Sequence, residues 1–197
     1  MEQLKNSQQH QHFIIFKPFG YLSQFVNNQT RRKNKKMLGE LYNFPKNTMA
    51  IGRLDETSEG LLFLTTDGKV SEFIRSSKVE KKYYAQVDGK ITSEAIEQLK
   101  NGVEISTETG LYFTKNCIVK KIDKTPQLPK RAKKIRDDRH GSTSWVSITL
   151  REGKFRQVRK MTAAVGFPTL RLVRVRIGVI HINNMVAGEV IKLNKLI

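Results

Sequence analysis

The apolar residues of this chain come in short runs, and turn-forming residues stop them. Phe13 to Phe16 ends at Lys17-Pro18, and Phe19-Gly20 then turns the chain. Gly60-Leu61-Leu62-Phe63-Leu64 ends at Thr66-Asp67-Gly68. Such runs read as short buried strands. Tyr83 to Val87 alternates as a further strand, and residues 110–122 form another that includes Cys117. Ser144 to Leu150 sets Trp145, Ser147 and Thr149 against Val146, Ile148 and Leu150, a half-buried strand. Leu170 to Ile180 alternates apolar with basic residues and predicts a strand with one charged face; Val190 to Leu193 closes the sheet. Helical spacing appears in three short stretches. One follows Gly68 with Val70, Phe73 and Ile74 on one face. A second starts at an N-cap Ser93, carries Ile96 and Leu99 inward, and stops at Asn101-Gly102. The third runs from Lys154 to Val165, ended by Gly166 and Pro168. Strands outnumber helices and no segment repeats. The order predicts an α+β fold, with a mixed, mainly antiparallel sheet flanked by helices.

Charge narrows the partners. The formal net charge is +18, from 36 Lys+Arg against 18 Asp+Glu. Such an excess favours a polyanion, because each phosphate neutralised by Lys or Arg releases a condensed counterion. A basic surface kept for solubility is the plain alternative. Two segments concentrate the charge. Residues 27–36 carry five cations and no acid; residues 124–142 carry seven Lys/Arg, two Asp and two prolines. The first reads as a loop or a frayed helix start and the second as a basic loop. Cys117 is the only cysteine, so an intrachain disulfide and a Cys-based metal cluster are excluded. The histidines lack zinc spacing outside the tail pair, and no Gly-rich phosphate loop is present. The first twelve residues read as a disordered tail without the apolar stretch of a signal peptide. No run approaches the roughly 18–20 apolar residues of a membrane span. A cytoplasmic protein is expected.

Two constellations can carry chemistry. In the third helix Arg156, Arg159 and Lys160 sit at i, i+3 and i+4, sharing one face opposite Val158, Met161, Thr162 and Val165. Alone this is an amphipathic helix with a solvated side. Yet residues 151–176 hold eight basic residues and one acid, Glu152, with Arg174 and Arg176 on one strand face. A basic helix beside a basic strand face predicts a phosphate track. The other constellation is Gly52-Arg53-Leu54-Asp55-Glu56-Thr57-Ser58-Glu59-Gly60, a loop between two apolar strands with three carboxylates in five residues. It reads as an ordinary acidic loop, as a Mg²⁺ nuclease site, or as one carboxylate working against RNA. Spacing does not choose among them. An aspartate facing RNA needs a nearby cation to stay ionised, and the arginines of the third helix can supply it.

Four segments in register carry a resemblance. They are KPFGYLSQF at 17–25, GRLDETSEGLLFLTTDG at 52–68, KKYYAQVDG at 81–89, and EGKFRQVRKMTAAVGFPTLRLVR at 152–174. Together they resemble the pseudouridine synthases of the RsuA branch, over almost the whole chain after residue 12. The resemblance implies the catalytic fold of that family over 13–197, as two α+β subdomains sharing one sheet. Its large-subunit members imply ribosomal RNA as partner, 23S rRNA near the peptidyl-transferase region, with no cofactor, no metal, no membrane partner, and a monomer. It implies Asp55 as the catalytic aspartate, Arg159 as its ion-pair partner, and Tyr83 stacking on a flipped uracil. Arg53 then helps hold the flipped nucleotide, and Leu172 packs beside the base. Arg156, Lys160 and Arg174 are the further RNA-binding candidates. Where the branch usually has Gly-Arg-Asn-Arg, this chain has Gly153-Lys154-Phe155-Arg156. Many relatives carry a small RNA-binding S4 domain ahead of the first strand; only twelve residues precede it here, so the basic loops are the expected substitutes. The rival from another class is a non-catalytic rRNA-binding or assembly protein.

Overall fold

A computed structural model describes residues 9–26, 34–76, 78–135 and 138–196. The expected tail up to residue 8, residues 27–33 of one basic loop and residues 136–137 of the other lie outside them. In chain order the elements are β1 (His12–Lys17), β2 (Tyr21–Leu22), β3 (Lys36–Met37), β4 (Met49–Ile51), β5 (Glu59–Thr65) and α1 (Gly68–Arg75). Then come β6 (Lys81–Asp88), α2 (Ser93–Asn101), β7 (Glu104–Thr107), β8 (Gly110–Phe113) and β9 (Ile118–Ile122). The chain finishes with β10 (Thr143–Leu150), α3 (Gln157–Ala164), β11 (Thr169–Ile177), β12 (Ile180–His181) and β13 (Val190–Leu193). A nine-stranded sheet runs β13-β1-β5-β11-β6-β10-β9, with β4 added to β5 and β12 to β11. Every pairing in it is antiparallel except β11 with β5. This is the expected α+β fold with a mixed, mainly antiparallel sheet.

The continuous apolar runs follow from burial on both faces. In β1, Ile14 and Phe16 join one cluster with Leu61, Phe63 and Ile74, while Phe13 and Ile15 join another with Leu62 and Leu64. Strand alternation sends successive side chains to opposite faces, so both parities must be apolar. A third cluster sets Ala85, Val87, Val146, Ile148 and Leu172 against Leu99, Val158 and Met161 of α2 and α3. The parallel β5–β11 seam joins the two halves. Gly60 makes it possible: at φ +106° it leaves no room for a Cβ, which would meet the backbone of Arg174.

Several expectations change. Residues 110–122 are not one strand. A β7–β8 hairpin precedes β9, and Cys117 lies in the link, its thiol donating to the Leu99 carbonyl at 3.1 Å. Phe73 of α1 is exposed, whereas Ile74 is buried. The cap of α2 is Thr92, whose Oγ1 accepts from the Ala95 amide, one residue before the expected Ser93. β10 is covered on both faces from Trp145 to Leu150, so its polar parity is buried as well. β11 has no solvated charged face. It is a central strand, with Arg171 and Arg174 buried and irregularities between Thr169 and Arg171 and between Arg174 and Arg176 that break its alternation.

Candidate active site

The loop at 52–58 carries Asp55 from β4 into β5, and the turn after β1 clamps it. Ser23 Oγ donates to the Leu54 carbonyl at 2.8 Å and accepts from the Leu54 amide at 2.9 Å. The Gly20 amide donates to the Glu56 carbonyl at 2.8 Å, and the Ser58 amide closes a turn on the Asp55 carbonyl at 3.0 Å. Leu54 is thereby buried, and the Asp55 side chain, 19% exposed, stands at the wall of a cleft.

Two guanidiniums face that carboxylate. Arg156 Nη1 lies 3.4 Å from Asp55 Oδ2, and Arg159 Nε lies 3.9 Å from it. Arg159 is fixed from several sides. Its Nη1 donates to the Thr169 carbonyl at 3.1 Å, and its Nη2 to the Thr57 carbonyl at 3.1 Å and Ser58 Oγ at 3.3 Å. Burial, followed by the neighbouring Arg156, lowers its pKa from the ordinary guanidinium value. Arg156 reaches Asp55 by a different route. It precedes α3 in a left-handed conformation, φ 54° and ψ 30°, rare for a residue with a side chain. The turn is built by Gln157, whose Oε1 accepts from the Lys154 amide while its Nε2 donates to Glu152.

The cleft has two lobes. The first, about 70 Å³, is lined by Asp55, Tyr83, Leu172, Arg53 and Arg156 among others. The second, about 240 Å³, shares Arg53, Tyr83 and Lys154 with it and adds Lys81, Arg75 and Arg174. A carboxylate, an aromatic ring and an apolar side chain around one opening can hold a planar base beside an acidic group.

The chain belongs to the RNA pseudouridylate synthase family. The model of that family matches residues 11–164. A ribosomal large subunit pseudouridine synthase E from Xanthomonas axonopodis pv. citri is 40% identical over 84% of this chain and 84% of its own length. The enzyme of the same name from Vibrio vulnificus is 40% identical over 89% of this chain and 72% of its own. Among solved structures, a pseudouridylate synthase superposes with a TM-score of 0.71 at 25% identity, covering 93% of this chain and 70% of that one. Enzymes of this family are isomerases.

Of the residues singled out from sequence, Asp55, Arg53, Tyr83, Arg156 and Leu172 surround the first lobe, and Arg159 pairs with Asp55 from the α3 side. Two assignments need correction. Arg156, Arg159 and Lys160 do not form one basic helix face: Arg156 precedes α3, which begins at Gln157, and meets Asp55 together with Arg159, whereas Lys160 turns away, its Nζ donating to the Ser106 carbonyl at 2.6 Å. Arg174 lies in the wall of the second lobe and not on an exposed track. It is 5% exposed, and its Nε donates to the Leu61 carbonyl at 2.7 Å.

Sequence reasoning missed the supporting shell. Glu59 is buried and accepts from Arg171 Nε at 3.1 Å and Nη2 at 2.9 Å, and from Arg131 Nε at 3.1 Å. Arg171 also donates to the Pro129 carbonyl at 2.7 Å, and the Arg131 guanidinium lies over the Phe19 ring at 4.1 Å. The second basic loop is thus fastened to the strand that follows Asp55. Lys17 is fully buried, its Nζ donating to the Pro18 and Tyr21 carbonyls; burial pulls its pKa down to about 7. No local pattern marks these long-range pairs; Lys17 and Glu59 carried only the hint of a charge at the end of an apolar run.

Proposed function

We propose that this protein isomerises a uridine of large-subunit ribosomal RNA, 23S rRNA near the peptidyl-transferase region, to pseudouridine, with Asp55 as the catalytic group. The observation carrying this reading is a carboxylate held at the wall of a cleft by two guanidiniums, with Tyr83 and Leu172 lining the same opening. The reaction breaks N1–C1′, turns the uracil, and joins C5 to C1′; C5 gives up its proton and N1 takes one up. It consumes no redox equivalent. The nucleotide leaves its stack at a cost of a few kcal/mol, which stacking on Tyr83, about 1–3 kcal/mol per base, offsets. Ionised Asp55 acts on C1′, on C6 of the base, or on a ribose proton. Arg159 positions it, while Arg53 and Arg156 hold the flipped nucleotide at the cleft mouth. The names of the large-subunit relatives support the rRNA assignment.

A metal nuclease built on Asp55, Glu56 and Glu59 is disfavoured by the direction of those carboxylates. Each turns to a different cation: Asp55 to Arg156 and Arg159, Glu56 to Lys35, Glu59 to Arg171 and Arg131. A purely RNA-binding protein has no use for an acid presented at the RNA face. The test is tritium release from rRNA labelled at uracil C5. Asp55→Asn is expected to release none while binding rRNA within a few-fold of wild type, and excess EDTA to leave wild-type release unchanged. Substantial release by Asp55→Asn removes Asp55 from its role.

A further inference from the structure

The second lobe of the cleft holds more positive charge than its lining balances. Arg53, Arg75, Lys81, Lys154 and Arg174 line it, with Glu152 as the one carboxylate. Glu152 is already occupied by Tyr112 Oη, the Lys115 amide and Gln157 Nε2. Elsewhere the inward arginines have acids: Arg171 and Arg131 meet Glu59, Arg176 meets Glu80, and Arg159 meets Asp55. Arg174 forms no ion pair among the described residues, and its buried Nη2 has no hydrogen-bond partner. A desolvated guanidinium without a counter-charge is costly, and such orphaned donors call for a structural reason. Lys81 stands beside it with Nζ donating to the Ser76 carbonyl at 3.1 Å, and burial together with Arg174 brings its pKa down to about 8. Both features relax when an anion enters. The lobe is continuous with the Asp55 lobe through Arg53, Tyr83 and Lys154.

We propose that this lobe is a phosphate subsite for one phosphodiester directly flanking the flipped uridine. Lys81 and Arg75 contact the phosphate oxygens, and Arg174 supplies fixed positive charge from the wall behind them. The inference rests on the RNA-modifying reading above and adds to it which part of the strand is gripped, and where. Phosphate contacts of this kind set register and orientation, whereas base contacts choose the site.

The experiment is a double-mutant cycle between protein and RNA. A short RNA spanning a uridine that the wild-type protein converts is made with a single neutral methylphosphonate, placed in turn 5′ and 3′ of that uridine. For wild type, one of the two replacements is expected to weaken binding about tenfold. Lys81→Gln is expected to weaken binding of the natural RNA by a similar factor and to lower the salt slope by about 0.7, one phosphate contact on a single strand. Combining Lys81→Gln with the neutral linkage then costs no more than either alone. Arg75→Gln, at an exposed position, provides the same cycle should Lys81→Gln fold poorly. Additive losses, or indifference of wild type to both neutral linkages, overturn the subsite while leaving the isomerase reading intact. If wild type converts no uridine in any rRNA fragment, the isomerase reading itself falls, and the subsite with it.

Discussion

Replacing Glu59 by glutamine isolates the support beneath the candidate site. The carboxylate is 2% exposed and neutralises two guanidiniums that are each 11% exposed. Glutamine keeps the volume and one acceptor oxygen but removes the charge, which strands Arg171 and Arg131 side by side in a dry setting. Removing one partner of a buried ion pair costs about 3–5 kcal/mol. Because glutamine still accepts a hydrogen bond, the lower end, about 3 kcal/mol, is expected. In a chain of this length that lowers the melting temperature by about 6–12 °C. Urea unfolding followed by circular dichroism gives the free energy, and the slope reports whether unfolding stays two-state. A second substitution sharpens the test. Arg131→Gln is expected to cost at least about 1 kcal/mol less in the Glu59→Gln background than in wild type, since it then removes a stranded cation. A Glu59→Gln protein within about 1 kcal/mol of wild type, or strictly additive effects, would refute the charge-pairing account.

Arg159→Ala is expected to lower kcat about a hundredfold through displacement of Asp55, with rRNA affinity within a few-fold; normal turnover in the tritium-release assay removes the pairing. Gly60→Ala forces a Cβ into the Arg174 backbone at a strained φ of +106° and should destabilise by more than about 2 kcal/mol, read from the urea midpoint; a neutral effect contradicts the tight seam. Lys17 gives a pH signature. Its folded pKa of about 7 lies below the ordinary lysine value of 10.5, so below pH 7 it is charged in both states and burial penalises folding in full. Between about 7 and 10.5 the folded state has released a proton that the unfolded chain keeps, and this group makes stability rise with pH by up to about 1.4 kcal/mol per unit. Lys17→Met should flatten that rise; equal slopes for the two proteins would show that Lys17 does not titrate there.

Much of the fold was legible because strand and turn signals are local. The runs at 13–16, 60–64 and 190–193, and the alternation at 144–150, all lie within strands of the sheet. The arginines of β11 misled for a reason that is also physical. Alternating basic residues look like a solvated face when only one strand is considered, but β11 lies between β5 and β6, so Arg171 and Arg174 point into protein. The start of α3 failed similarly: Gln157 folds residues 152–156 into a turn through Glu152, and this frees Arg156 to reach Asp55.

Residue types and their spacing determined that this chain makes short strands, carries a large positive charge, and presents Asp55 in a glycine-bounded loop between two buried runs. These are properties of neighbours in the chain, set by side-chain period and turn chemistry. Which cation meets which acid was decided only by the tertiary structure. Arg159 lies 104 positions from Asp55, and Arg171 lies 112 from Glu59. The pairing of β11 with β5, and the seating of α3 through Arg159 on the Thr169 carbonyl, bring such distant charges within a few ångströms, where desolvation makes their pairing count.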